Sequence, residues 1–391
     1  MNDPAARPAL PPLRIPRTIY DAQHEAFRDT MRRFIAEEIA PNMARWEDEG
    51  LVPKSVWRRF GAIGALGAGI PEDYGGSGDD FRFLAVAVEE QARAGFAAPA
   101  IDLHSGIVAP YIVHHGTEAQ KREWLPRLAS GEAVASIGMT EPDSGSDLAG
   151  VRTSAVREGD HYRVNGSKTF ITNGIVGDLV LLVVKTDPAR GSRGISLLLV
   201  DTSLPGYRKG RNLKKVGNKA QDTAELFFDD LRVPASCLLG EENGGWQLLM
   251  SELVQERLLV AVRAAATCEA ALELTTRYVK DRSAFGRALF EFQNTRFRLA
   301  DVATLAQALR VLTDRAIELH VKGELDMHTA AMAKLYASEV QDEVLDTCLQ
   351  LHGGNGYMWD YPIARMWADA RVHRIYAGTN EIMREIIGRG L

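Results

Sequence analysis

Tyr162-Arg163-Val164-Asn165-Gly166-Ser167-Lys168 contains an Asn-Gly pair, the strongest short-range signal for a β-hairpin, and predicts a tight turn at that point. The surrounding sequence has the same texture. Leu179 to Val184, Ile195 to Val200 and Ala224 to Phe228 are short runs rich in Val, Ile, Leu and Phe, as strands require. On either side the apolar period changes to that of a helix. Upstream, Phe27, Met31, Phe34, Ile35 and Ile39 recur at helical spacing between Asp21 and Pro41, and further helical stretches run to about Pro126. Downstream of Asn243-Gly244-Gly245, long periodic stretches reach Leu351, and a short one spans Glu381 to Gly388. Helix, then β, then helix, in blocks rather than alternation, argues against a doubly wound nucleotide fold. The expectation is a mainly α chain with a central β-domain: 21–134 helical, 135–240 β, and 241–391 a helical bundle. No internal repeat is apparent.

The chain has 391 residues, enough for two or three domains. Its 46 Lys+Arg against 52 Asp+Glu give a net charge of −6 without any basic block, which argues against a nucleic-acid surface. Cys237, Cys268 and Cys348 are too few and too scattered for a disulfide framework or a zinc site, and fit a reducing compartment. That implies the cytoplasm of a bacterium, or the mitochondrial matrix if the source is eukaryotic. No apolar run is long enough to span a bilayer. Met1 to Arg17 lacks the apolar stretch of a signal peptide, and Pro4, Pro8, Pro11, Pro12 and Pro16 would break an amphipathic transit helix. Residues 1–20 read as a disordered or extended lead. Tyr74-Gly75-Gly76-Ser77-Gly78 lacks the Lys-Ser/Thr ending of a phosphate loop and reads as a connector. The nine histidines are dispersed, so His352 and Tyr357 do not suggest a metal.

Several segments carry chemistry. Met139-Thr140-Glu141-Pro142-Asp143-Ser144-Gly145-Ser146-Asp147 groups small hydroxyl residues on a turn. It is either an ordinary Ser/Asx turn or one aimed at a polar heterocycle. Lys168-Thr169-Phe170-Ile171-Thr172-Asn173-Gly174 offers an aromatic face that could equally be core. Asp281-Arg282-Ser283-Ala284-Phe285-Gly286 with Gln293 offers a guanidinium fork, solvated or bound to a diphosphate. Gln350-Leu351-His352-Gly353-Gly354-Asn355-Gly356-Tyr357 has glycines that let backbone approach a ligand closely.

Taken together with Arg374-Ile375-Tyr376-Ala377-Gly378-Thr379-Asn380-Glu381, these segments resemble the acyl-CoA dehydrogenase family from about residue 20 to the end. The resemblance implies an N-terminal helical domain, a middle β-barrel or sandwich domain and a C-terminal four-helix bundle. It implies FAD held by Ile137, Met139, Thr140, Ser146, Phe170, Ile171, Thr172, Thr379 and Glu381. Arg282, Phe285, Gln293, Gln350, Gly353 and Gly354 would reach the FAD of a neighbouring subunit in a homotetramer, a dimer of dimers. Ser146, Arg257 and Gly378 would bind the acyl-CoA substrate. Electrons would pass to an electron-transfer flavoprotein.

Most of the family carries a catalytic glutamate where this chain has Ala377. Val254-Gln255-Glu256-Arg257-Leu258-Leu259 resembles the segment from which the long-chain and isovaleryl enzymes supply the base instead. As an isolated residue, Glu256 would read as a surface helix carboxylate. The resemblance makes it the base for α,β-dehydrogenation, while the Ala377 N–H still serves the thioester oxygen. Burial should raise the Glu256 pKa, with adjacent Arg257 opposing.

Leu103-His104-Ser105-Gly106-Ile107-Val108, Lys219-Ala220-Gln221-Asp222-Thr223-Ala224-Glu225-Leu226-Phe227-Phe228 and the C-terminal motifs look most like long-chain enzymes, whereas Ala at 377 is the isovaleryl pattern. Ala94, Gly95, Ala97, Ala98 and Ala100 lie where the family builds the far end of its acyl pocket, or simply serve helix packing. The competing readings are an oxidase or monooxygenase on the same scaffold, and a catalytically silent flavin or acyl-CoA binding protein. A DNA-binding relative is disfavoured by the acidic charge.

Overall fold

The computed structural model describes residues 15–391. Asp21 starts the first helix by accepting hydrogen bonds from the N–H groups of Gln23 and His24, as a cap should. The N-terminal helices are α1 (Ala22–Phe34), α2 (Met43–Glu49), α3 (Lys54–Ala62), α4 (Phe81–Arg93), α5 (Ile101–Leu103), α6 (Ala109–His115) and α7 (Glu118–Ala129). α7 runs on past Pro126 to Ala129, close to the limit of about Pro126 expected for the helical stretches. A Thr117–Gln120 capping box starts that helix, and Trp124, Leu125 and Leu128 are buried along it, which offsets the bond lost at the proline. The 74–78 stretch is a connector: Gly75 takes a left-handed conformation to end a single 3₁₀ turn, and Asp80 then caps α4.

The middle of the chain forms β1 (Ala135–Gly138), β2 (Ser154–Glu158), β3 (His161–Thr172), β4 (Leu179–Lys185), β5 (Ile195–Asp201), β6 (Tyr207–Asn212), β7 (Thr223–Pro234) and β8 (Leu238–Leu239). Their order in the sheet is β6-β7-β3-β2-β4-β5-β8, with β1 parallel to β4. One face packs on the N-terminal helices through Leu179, Leu181, Val183 and Leu197, and the other closes over Val180, Leu182, Leu198 and Leu226. Both faces are covered, so β4 and β5 are buried almost throughout.

The Asn165-Gly166 turn is corrected. These residues lie inside β3, and the chain reverses at Gly159-Asp160, between the paired Glu158 and His161. Opposite Asn165, β7 carries one extra residue, and the Asn165 amide exchanges hydrogen bonds of 2.8 and 2.9 Å with Asp230. Gly166 is needed because a Cβ there would sit 2.7 Å from the Thr153 backbone. The pair that signals a hairpin serves a β-bulge instead.

The C-terminal part contains α8 (Gly245–Asp281), the two-residue strands β9 (Ser283–Ala284) and β10 (Arg287–Ala288), and the helices α9 (Gln293–Val321), α10 (Met327–Leu351), α11 (Pro362–Ala370) and α12 (Asn380–Gly388). Helices α8, α9 and α10 pack on one another, α4 joins them along α8, and the shorter α11 and α12 lie against α10. Where the 104–108 turn crosses α4 and α8 a glycine lets two leucine side chains close in. A Cβ on Gly106 would meet Leu84 at 2.7 Å and Leu259 at 2.6 Å.

Charge, as well as apolar packing, locks these helices together. Glu89 of α4 is 1% exposed and receives Arg17, Arg28 and Arg310 at 2.7 to 2.9 Å. Arg310 also reaches Glu269 of α8, and Arg17 reaches Asp314 of α9. Residues 15–20 of the lead are therefore extended and tied down, while Pro4, Pro8, Pro11 and Pro12 lie outside the described residues. Glu89→Gln leaves three guanidinium groups around a neutral amide, and should cost about 3–5 kcal/mol. Denaturant unfolding of the variant beside the wild type measures this. A loss below about 1 kcal/mol would mean the network is not a tertiary lock.

Candidate active site

Glu256, Arg257 and Gln255 lie on one turn of α8, and the chain around them is held by specific bonds. Gln255 Nε2 donates to Gly106 O at 2.6 Å, and its Oε1 lies 2.7 Å from His320 Nε2. The Glu256 carboxyl is pushed up from its usual 4.5 to about 7 by burial, with the charges of Arg257 and Lys334 opposing the rise. Tyr111 and Tyr376 both feel its charge. Arg257 is buried, and its Nε and Nη1 have no hydrogen-bond partner among the described residues. A buried guanidinium left unpaired is costly, and its free N–H groups are ready donors to an anionic or carbonyl ligand.

The loop after residue 374 comes to this place because a lysine pins it. Lys334, fully buried in α10, donates to Gly378 O at 2.7 Å and to Asn380 Oδ1 at 2.9 Å. Ser338 donates to the same Asn380 oxygen. Ala377 and Gly378 both take left-handed conformations, φ 55° and 84°. The Ala377 N–H has no acceptor among the described residues. Thr379 caps α12, and Glu381 stands exposed in its first turn. Tyr376 stacks on His373. Lys334, Tyr111 and Asn380 were not singled out from sequence. A lysine inside the apolar helical run Ala330-Ala331-Met332-Ala333-Lys334 was the available signal.

A second group forms where β1 leaves the sheet. Lys168, fully buried on β3, donates to Met139 O at 3.0 Å and Glu141 Oε1 at 2.7 Å. The Thr169 N–H donates to Thr140 O. Glu141 in turn accepts from the backbone N–H groups of Arg152 and Thr153. These bonds fasten the 139–147 turn onto a bulge, where Thr169 and Phe170 face the single residue Glu225 of β7. The bulge drives Phe170 to φ 59° and leaves its ring 69% exposed. Ile171 is buried, Ile137 and Thr172 are half-buried, and Ser146 is exposed.

The third group lies elsewhere. Phe285 and Gly286 form the two-residue tip between β9 and β10, with φ 51° and 76°, and the Phe285 ring is 95% exposed. Arg282 and Gln293 flank that tip, both exposed. Gln350, Gly353 and Gly354 sit beside it, because His352 stacks on Tyr278 at 4.2 Å near the end of α8. A Cβ on either glycine would meet nothing. Twenty-five residues of unbroken helix separate Glu256 from Asp281, roughly 38 Å at 1.5 Å per residue. The structure thus places the Glu256 group apart from the third within a single chain. Of the small residues, Gly95 and Ala97 line a cavity whose opposite wall holds Arg263, paired to Asp102 at 2.8 Å.

Three family profiles match in order: acyl-CoA dehydrogenase N-terminal domain over residues 21–132, middle domain over 136–231 and C-terminal domain over 243–391. The chain belongs to the acyl-CoA dehydrogenase family. It is 48% identical over 375 residues to the mitochondrial long-chain specific acyl-CoA dehydrogenase of Mus musculus, covering 95% of this chain and 87% of that one. It is 36% identical over 376 residues to the mitochondrial isovaleryl-CoA dehydrogenase of Oryza sativa, covering 95% and 92%. The crystal structure of an acyl-CoA dehydrogenase from Geobacillus kaustophilus superposes with a TM-score of 0.94 at 47% identity, covering 96% of this chain and 99% of that chain. The motif resemblance and the fold class drawn from it therefore hold. No helix among the described residues is long and apolar enough to cross a membrane.

The raised Glu256 pKa has a consequence for stability. The unfolded chain releases this proton near 4.5 and the folded chain near 7. Wild-type stability is therefore eroded as pH rises through that window, and Glu256→Gln escapes the loss. The variant should gain on the wild type by up to about 3 kcal/mol between pH 4.5 and pH 8, as thermal or denaturant midpoints at both pH values would show. A constant difference across that range would place Glu256 in water.

Proposed function

We propose that this protein catalyses FAD-dependent α,β-dehydrogenation of a long-chain or branched acyl-CoA to the trans-2-enoyl-CoA, with electrons passing to an electron-transfer flavoprotein. The observation that carries the reading is half-buried Glu256, whose carboxyl is pushed up to about 7, beside a loop whose residue 377 has no side-chain acid.

The residues present fit the cofactor. Phe170 is held at a strained left-handed position with its ring exposed, and such strain clusters at ligand sites. Thr140, Ser146 and Thr172 bring hydroxyls on the turn and strand that Lys168 ties together. Met139, Ile137, Ile171, Thr379 and Glu381 complete the proposed first-subunit contacts. FAD, when bound, supplies the hydride acceptor.

Glu256 removes the α-proton. Its pKa near 7 leaves a large fraction ionised at neutral pH while keeping it more basic than an exposed carboxylate. The α-proton is weakly acidic, so charge developing on the thioester oxygen must be met by a fixed donor, and the Ala377 N–H is available for that. Its left-handed backbone is held by Lys334 through Gly378 O, so the donor is oriented before substrate arrives. Loss of a glutamate at 377 removes a side chain and leaves this donor intact. Arg257, Ser146 and Gly378 are the proposed contacts to the acyl-CoA.

Arg282, Phe285, Gln293, Gln350, Gly353 and Gly354 lie too far along α8 to serve the same chain's site, so a neighbouring subunit is required and a homotetramer is the proposed assembly. The three free cysteines fit a reducing compartment, bacterial cytoplasm or mitochondrial matrix.

Anaerobic mixing with straight and branched acyl-CoAs, followed by flavin bleaching, tests the reading. The Glu256→Gln variant should reduce flavin at least about 10²-fold more slowly, with flavin still bound. Wild-type kcat/KM should rise with pH and level off above about 7. Bleaching at the wild-type rate in the variant would remove Glu256 from the mechanism.

A further inference from the structure

His114 and His115 close helix α6, and Glu252 faces them from α8. His114 Nδ1 and His115 Nε2 each lie 2.9 Å from one oxygen, Glu252 Oε1. Residues adjacent on a helix point about 100° apart, so convergence on one atom needs a reason. It is achieved here by using opposite ring nitrogens of the two imidazoles. The three ligand-type atoms lie within 4.8 Å of one another.

The electrostatics point the same way. The Glu252 side chain is only 10% exposed, and its hydrogen-bond partners among the described residues are these two imidazoles. No lysine or arginine pairs with it. A nearly buried carboxylate that faces two imidazoles and no lysine or arginine among the described residues favours a positive countercharge. A divalent cation between the three groups would supply one.

We propose that His114, His115 and Glu252 form a transition-metal site of the zinc class that clamps α6 to α8. Two imidazoles and one carboxylate, with a further position open, are a zinc-type donor set, whereas Mg²⁺ and Ca²⁺ prefer oxygen ligands. His114 is 53% exposed, so the ion enters from solvent and water fills the open position. Bonds of about 2.0–2.2 Å in a tetrahedron set ligand atoms about 3.3 Å apart, so the present 2.9 Å separations open by a few tenths of an ångström. Glu252 precedes Glu256 by one helical turn, and buried Tyr111 feels both carboxylates. The clamp therefore steadies the turn that carries the proposed base without touching its ligand.

The test uses tag-free, flavin-containing protein, stripped with a chelator and titrated with ZnCl₂ by calorimetry. One Zn²⁺ per chain should bind, on the order of 10 μM or tighter, and raise the thermal midpoint. The His114→Ala change removes a surface side chain and should lower affinity at least about tenfold; Glu252→Gln should do the same or more. If Glu252→Gln fails to retain flavin, His114→Ala decides alone. The proposal is overturned by the absence of saturable Zn²⁺ binding to the wild type, or by unchanged affinity in His114→Ala.

Discussion

Glu89 is the constraint on which the rest depends. A carboxylate shut away from water must be ionised and paired or cost the fold dearly, and here three guanidinium groups from the lead, α1 and α9 converge on it. Arg310 carries the same network to Glu269 on α8, and Arg93 of α4 meets that glutamate too. Helices α4, α8 and α9 thus have one allowed register relative to one another. α8 is 37 residues long and carries Glu256, Arg257 and Glu252 near one end and leads into Arg282 at the other. Fixing α8 fixes both ends of the proposed chemistry.

Within that frame, two buried lysines repeat one device. Lys168 ties the 139–147 turn to β3, and Lys334 ties the 377–380 loop to α10. Each is a long side chain whose ammonium is satisfied by oxygens of an irregular segment. Burial lowers both lysines to about 8, yet each keeps an acidic or carbonyl partner, so the segments are held by charge-assisted bonds rather than by regular secondary structure. Loops that display ligand-facing groups are commonly positioned by a rigid scaffold. Here the scaffold reaches out with one lysine to each. The left-handed residues Phe170 and Ala377 lie within two positions of these anchors or their acceptors.

Glu256 shows where electrostatics and position meet. Its neighbour Arg257 and the nearby Lys334 both favour ionisation, and burial still wins. A carboxylate on an exposed helix face would sit near 4.5 whatever its neighbours in sequence. The same residue types produce a different acid because α8 is enclosed by α4, the 104–108 turn and α10.

The sequence alone was enough for the block order of helix, sheet and helix, because hydrophobic period is a local property that survives in any context. It was also enough for the family and for the candidate residues, since the motifs from Met139, Lys168, Arg282, Gln350 and Arg374 are contiguous strings. It misled at Asn165-Gly166, where a pair suited to left-handed backbone was used in a bulge. The choice between turn and bulge rests on β7, some 60 residues away, and on the closeness of Thr153. What only the tertiary structure decided was proximity and dielectric: Lys334 under the 377–380 loop, the extent of the shift of Glu256 toward 7, the separation of Glu256 from the 282–293 segment along α8, and two adjacent histidines on one carboxylate. Each depends on which surfaces of distant segments exclude water together, and that is set by packing rather than by any local pattern.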